Sequence, residues 1–442
     1  MYVVLWFDTE DYIEPSADDA ALRIATDLTA SQVRATFKIV GEKVRVLQSR
    51  GRTDVIRALS HHAIGYHSNF HSAQPTPAVY LRRLGMLEGA AEFERRESPG
   101  VLDIKRILGV LPICYGQPGS SWAPQTHSAL RHLGIPVYLD DGVQVGLDEQ
   151  PFWYGGLLNI YNLGRYSIRP DLDHEGNNRQ IYAHLTEAAN YLAGHGGGVI
   201  STYFHPTEFV TTEFWDAVNF KEGASRERSE WQRPHLRASS DSERCFRVLH
   251  KYVETAKSLP DLQFVTAQDL LQLYRSPVPP VIAKEVAAQS LRQHITFLET
   301  ETAELSAADL LLAVLGMEPQ IVDGPTSRGL TTYRANTIPR WLFEQAKADA
   351  IGYIRTFKRL PSEVFVGAET LSLPDFAATA AGDGGSTPAV RVLQGVVGFE
   401  KYFSTDAEDA FRWPIHPKHF AAPELLELAR LQGWTLKPAR LR

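Results

Sequence analysis

The sequence predicts an α/β fold: a distorted seven-stranded (β/α) barrel followed by a second, mainly helical domain at the carboxy-terminal end. Three observations carry that expectation. Through the first 275 residues short apolar runs alternate with longer amphipathic stretches, the mark of repeated strand-helix units. At Ser276-Pro277-Val278-Pro279-Pro280 the pattern breaks on prolines that no helix crosses. The length of 442 residues also exceeds what one hydrophobic core ordinarily serves.

The expected strands begin at Val3, Ala35, Ile64, Ile113, Val137, Val199 and Leu262. Helical patterns fall between them at 18–30, 54–60, 124–133, 181–193 and 242–259. Residues 1–275 are therefore read as the barrel, 276–285 as a linker, and 286–442 as an accessory domain with helical patterns at 307–315 and 339–358. In barrels of this kind the loops after the carboxy-terminal strand ends converge on one mouth. Asp8, His67, Gln117, Asp140 and His205 each stand at or just past the end of an expected strand, so one pocket can gather all five.

Composition narrows the chemistry. A net charge of -7 argues against a nucleic-acid partner. Hydrophobic residues at 44% and charged residues at 22% suit a globular chain with a large core. Cys114 and Cys245 are the only cysteines, too few for a disulfide framework or a thiolate-rich metal site, so a metal would take imidazole and carboxylate ligands. Tyr2-Val3-Val4-Leu5-Trp6-Phe7 lacks a basic flank and ends in acids, which reads as a first strand rather than a leader. No window approaches the roughly 18 apolar residues of a membrane span.

Three short segments carry chemistry. Phe7-Asp8-Thr9-Glu10-Asp11 closes the first strand with carboxylates, and the alternation of an extended chain puts Asp8 and Glu10 on one face, where two like charges call for a cation or a proton. His67-Ser68-Asn69-Phe70-His71 follows the third strand. Two imidazoles four apart meet on one face if the loop takes a helical turn, and with an acid they make a metal site that keeps open positions for water. His205 ends a late apolar strand, where a group titrating near neutrality can protonate a leaving amine.

In this order the segments resemble the polysaccharide deacetylase family of NodB homology, which acts on chitin, peptidoglycan and nodulation factors. The resemblance covers residues 1–275. It implies Asp8 as catalytic base, Glu10 or else Asp11 as the metal-binding acid, His67 and His71 as the His-Ser/Thr-x-x-His metal pair, and His205 as general acid. It further implies a divalent metal, zinc first, and an N-acetylated glycan as substrate. Ala35-Thr36-Phe37-Lys38-Ile39-Val40-Gly41 matches the second-strand signature. His205-Pro206 with Glu208 is similar to a His-Pro-Trp-Glu version found in deacetylases linked to exopolysaccharide and O-antigen loci. One departure stands out: Gln117 in Gln117-Pro118-Gly119 replaces an arginine that normally pairs with the base. Asp140 or Asp141 is expected to orient His205, and Trp122, Trp153 and Tyr154 to stack on sugar; Gln117 and Glu208 join the substrate-facing set.

Residues 353–364 faintly resemble the repeat of pseudomurein-binding domains, a helix followed by Leu-Pro and a short strand, which implies cell-wall or glycan binding for 286–442. Two other functions stay open on the sequence. One is a carbohydrate-binding pseudoenzyme, for which Gln117 speaks. The other is an amidohydrolase acting on a different carbon-nitrogen bond. A glycosidase would need two acids without a metal, against which the histidine pair counts.

Overall fold

Strands buried on both faces read as continuous apolar runs, and the first such run, in the computed structural model that describes all 442 residues, forms β1 (Tyr2–Thr9). In chain order follow β2 (Thr36–Ile39), β3 (Ala63–Tyr66), β4 (Cys114–Tyr115) and β5 (Val137–Leu139), each parallel to the one before. An antiparallel hairpin of β6 (Phe152–Tyr154) and β7 (Leu157–Ile160) then lays β7 parallel to β5. β8 (Val199–Phe204) runs along β1 from Tyr2 to Phe7, and β9 (Gln263–Val265) pairs only with Tyr2–Val4. A strand has two edges, so β9 and β2 divide the edge that β8 leaves free. A parallel bridge from Ser167, beyond β7, to Ser201 in β8 draws the ends of the sheet together into a distorted barrel.

Every expected strand position is a strand, but the hairpin was not anticipated. Its turn is Gly155-Gly156, both at positive φ (56° and 75°), the conformation that a two-residue hairpin turn requires and glycine adopts at least cost. The hairpin also corrects the expectation for two aromatic residues. Trp153 and Tyr154 lie in β6 at 6% and 0% exposure, packed in the core rather than presented to a sugar. Trp122 is likewise fully buried, edge-on to His127, and belongs to the core.

Alternation along β1 separates two packing faces. Leu5 and Phe7 pack in one cluster with Ala21, Ile24 and Leu28 of the helix Ser16–Ala30, while Val4 and Trp6 pack in another with Val137, Leu139, Leu158 and Ile160. Asp8 and Glu10 continue the Val4–Trp6 face. The longest helix, Met86–Leu108, carries Pro99 inside it and supports the loop after β3: Glu97 Oε2 accepts from Asn69 N (2.7 Å) and from Tyr66 Oη (2.6 Å).

Beyond residue 285 the chain is mainly helical and contains two similar units, each a helix, a two-stranded ladder and a second helix. The first comprises Lys284–Gln293, Leu298–Glu299 with Glu304–Leu305, and Ala307–Val314. The second comprises Arg340–Phe357, Glu363–Val366 with Glu369–Ser372, and Leu373–Gly382. In both, a serine caps the second helix by accepting from the backbone of an aspartate three residues on, Ser306 from Asp309 and Ser372 from Asp375. The chain then returns to the barrel. Lys437–Pro438 adds an antiparallel strand to β6, Tyr154 Oη donates to Ala429 O (2.9 Å), and Lys437 Nζ lies 2.8 Å from Asp309 Oδ2. One apolar cluster runs from Leu5 and Phe7 through Tyr154 to Phe403 and Leu436.

Candidate metal and catalytic site

The carboxy-terminal ends of β1, β3, β4, β5 and β8 open on one cavity of about 380 Å³, lined among others by Asp8, Glu10, His67, His71, Gln117, Asp140, Asp141 and His205. Glu10, His67 and His71 are buried and offer one ligand atom each within 4.8 Å of one another. Glu10 Oε2 lies 2.8 Å from His71 Nε2 and 3.5 Å from His67 Nε2. The loop reaches this geometry without the helical turn expected of it. Ser68 and His71 both take positive φ (62° and 53°), which folds the two imidazoles together with ring centroids 4.8 Å apart.

Each ring is held from behind. His67 Nδ1 meets Gly116 O at 3.0 Å, and His71 Nδ1 meets Ser72 Oγ at 2.6 Å, which in turn donates to Asp216 Oδ2 at 2.8 Å. With the Nδ1 protons so placed, both Nε2 lone pairs point to the cavity, the arrangement in which histidine ligates a metal. Trp215 Nε1 donates to the other oxygen of Glu10 (3.3 Å). Burial alone would raise the Glu10 carboxyl, but the imidazoles of His71 and His67 hold it well below the usual carboxylate range. His71 Nε2 is buried and lies 2.8 Å from Glu10 Oε2 without hydrogen-bond geometry between them. An imidazole nitrogen and an ionised carboxylate oxygen set side by side without a well-directed hydrogen bond fit a shared divalent cation.

Asp8 faces this cluster and is matched by a residue the sequence reading passed over. Asp8 and Lys38 are register partners on β1 and β2, so both side chains leave the same face of the sheet. Lys38 Nζ lies 3.0 Å from Asp8 Oδ1 and 2.5 Å from Asp140 Oδ2, and 3.9 Å from the centre of the Trp6 ring. The lysine is fully buried. Burial pushes its ammonium toward neutrality, but Asp140 and Asp8 outweigh that and raise its pKa. Two glycines clear its path: a Cβ on Gly65 would come within 2.8 Å of Lys38 Cγ, and one on Gly116 within 2.1 Å of Lys38 Nζ. The positive charge absent at Gln117 is thus present beside Asp8 on the neighbouring strand. Gln117 Nε2 itself donates to Gly119 O and Asp141 O, both at 3.1 Å. A second cluster of possible ligands, Asp8, His67 and Asp140, already has this ammonium between its two carboxylates.

His205 approaches from β8 with Nε2 3.7 Å from Asp8 Oδ2. The expectation that Asp140 or Asp141 orients it is corrected. Asp140 is committed to Lys38, and Asp141 accepts from Gly142 N and Ser167 Oγ. The partner is Glu208, whose Oε2 takes both the His205 backbone N–H and Nδ1 at 3.0 Å, while Arg169 braces its other oxygen. Glu208 stands behind His205 rather than in the cavity lining, which also corrects its placement among the substrate-facing residues. Burial lowers the imidazole pKa, but Glu208, with Glu10 and Asp8 beyond, lifts it to about 9. Burial raises the Glu208 carboxyl, yet His205 and Arg169 bring it down to about 2.

Asp11 is corrected as well. Its Oδ1 accepts from Ile13 N and Glu14 N and its Oδ2 from Thr207 Oγ1, all at 2.9 Å. It is tied into the turn that leads to the first helix and does not line the cavity. Of the residues missed, Lys38 had a signal, a charge inside an apolar strand; Asp216, Trp215 and Arg169 had none at the level of spacing.

No family model matches the chain, and no curated protein matches its sequence. Among solved structures it is similar to a candidate polysaccharide deacetylase of Mycobacterium smegmatis, at 14% identity and a TM-score of 0.41 over 61% of this chain and 88% of that one. It is also similar to the Puue allantoinase (14%, 0.40, over 61% and 89%). A third is the Xyl-CE4 domain of a multidomain xylanase from the hindgut metagenome of Trinervitermes trinervoides (14%, 0.34, over 61% and 89%).

Proposed function

We propose that this chain is a metal-dependent hydrolase that removes N-acetyl groups from a glycan. The observation that carries the reading is the buried Glu10–His67–His71 cluster with Asp8 on one side and a carboxylate-backed His205 on the other. Glu10 Oε2, His67 Nε2 and His71 Nε2 would hold the ion, zinc in the first instance; such an ion, when bound, acidifies water and polarises a carbonyl. Asp8, held by Lys38, accepts the proton of the attacking water. His205, protonated and anchored by Glu208, delivers a proton from Nε2 to the departing amine. The finer likeness to exopolysaccharide-linked deacetylases is proposed on His205-Pro206-Thr207-Glu208, where Glu208 is the partner of His205.

The pseudoenzyme reading drew on Gln117 alone, and the Lys38 ammonium 3.0 Å from Asp8 Oδ1 supports the hydrolase by standing where the missing arginine charge would act. The experiment is acetate release from N-acetylated sugars by protein of measured metal content. About one divalent ion per chain, lost together with acetate release in the His67→Ala/His71→Ala double variant, is the expected result. Protein that neither carries nor takes up zinc or cobalt would overturn the reading, and hydrolysis of amides without acetate would point to the amidohydrolase instead.

A further inference from the structure

One wall of the cavity comes from the far end of the chain, where Trp413, Pro414 and Ile415 form a strap across the mouth. The strap is pinned by the loops that carry the site. Gln74 Nε2 donates to Ile415 O (3.0 Å), Glu222 N to Pro414 O (2.7 Å) and Gly223 N to Ile415 O (3.1 Å). Ile415 is buried in a small cluster with Tyr12, Val40, Trp215 and Phe220. The Trp413 ring stands edge-on to His71, 5.9 Å between centroids and 88° between planes. It lies against Gly119, where any Cβ would come within 2.2 Å of it. Trp413 nevertheless stays partly exposed.

Beyond the strap lies a second cavity of about 580 Å³ that shares Trp413 and Pro414 with the first and is otherwise mostly polar, with Arg412, Lys418 and His419 among its lining. A pyranose ring has flat C–H faces and a rim of hydroxyls. A partly exposed indole flanked by polar side chains matches both features. A monosaccharide would need only the first cavity; the shared aromatic wall gives the second a use when the substrate continues past the reacting ring.

We infer that the strap is a glycan subsite. Trp413 takes the sugar ring adjacent to the one whose acetamide is cleaved, and the chain of sugars runs on into the second cavity. This rests on the deacetylase reading of the first cavity, and the test separates the two. Full-length protein is given N-acetylhexosamine tetramers in β-1,4, β-1,6 and α-1,4 linkage and the corresponding monosaccharides, with acetate release and calorimetric binding measured side by side. The expected result is that at least one tetramer exceeds its monosaccharide in kcat/KM, and that Trp413→Ala cuts this ratio by about tenfold while Trp413→Phe restores part of it. Arg412→Ala/His419→Ala, at exposed positions of the second cavity, lowers the same ratio and covers the case in which Trp413→Ala fails to fold. No preference for any tetramer, or equal losses on tetramer and monosaccharide in these variants, would overturn the subsite. If no sugar releases acetate, the deacetylase reading falls, while tetramer binding weakened by Trp413→Ala still upholds the subsite. Neither turnover nor binding overturns both.

Discussion

At the scale of single residues, the site turns on two ion pairs, one buried and one half-buried, that are adjacent in space and separate in purpose. The single Lys38 ammonium is shared by Asp8 and Asp140, so Lys38→Met leaves both carboxylates without a cation. Breaking a buried pair in this way costs about 3–5 kcal/mol, and denaturant unfolding should register a loss of that order along with nearly all turnover. A variant as stable as the parent would mean that Lys38 is dispensable to the fold. The His205–Glu208 pair sets the alkaline side of the pH profile. His205 must carry a proton to act as an acid, and Glu208 holds its pKa above the ordinary imidazole value, so activity should fall on the alkaline side as that proton is lost. Glu208→Gln removes the main charge that opposes burial, and the alkaline limb should move down by ~1 unit or more. An unmoved limb would mean another group reports it. The same pair links folding to pH. The raised His205 value adds stability that is complete below about 6.5 and lost toward 9, and the depressed Glu208 value adds stability that is complete above about 4.5 and lost toward 2. Asp8, Glu10, His67 and His205 were legible in the sequence because each stands at or just past the end of an apolar run, and His71 because it repeats an imidazole four residues after His67. Lys38 was not read because its motif drew attention to the apolar neighbours, and only register across β1 and β2 reveals what it faces.

Whole elements show the same division between what periodicity exposes and what it hides. Parallel strands announce themselves as apolar runs, and all seven expected positions are strands. The β6–β7 hairpin carried its own signal in Gly155-Gly156 but was obscured by aromatic residues that suggested a ligand surface. The helix Met86–Leu108 was obscured by Ser98-Pro99-Gly100, a triplet that ordinarily ends helices. The twofold unit beyond residue 285 shares little more than Leu-Ser-x-x-Asp, too short to detect as a repeat. β3 supplies a prediction with an unusual sign. Replacing a strand glycine by alanine ordinarily gains about 0.5–1 kcal/mol. At Gly65 the added methyl would meet Cys114 Sγ at 2.6 Å and Lys38 Cγ at 2.8 Å, and overpacking of this kind costs about 1–3 kcal/mol. Gly65→Ala should therefore lower the thermal midpoint and slow turnover; a rise in the midpoint would show that β4 yields readily.

In the whole molecule the barrel and the carboxy-terminal region share one apolar cluster, a sheet edge and a cavity wall. A fragment ending at residue 285 would expose Tyr154, Trp153 and the strand edge that Lys437–Pro438 covers, so it is expected to aggregate or melt without cooperativity. A soluble fragment with a sharp transition would instead establish 1–285 as an autonomous unit. No helix is long and apolar enough to cross a membrane. The return of the chain end to β6 also has a bearing on how the protein is made. β6 emerges from the ribosome well before its partner, and at ~5–20 residues per second the interval is on the order of 15–60 s. During that time the edge of β6 and the seat of Trp413 stand uncovered. The edge of β6 is thus open to chaperones and to mispairing through about the last two-thirds of synthesis, and a ribosome stalled after β9 has emerged would hold a barrel whose mouth lacks one wall.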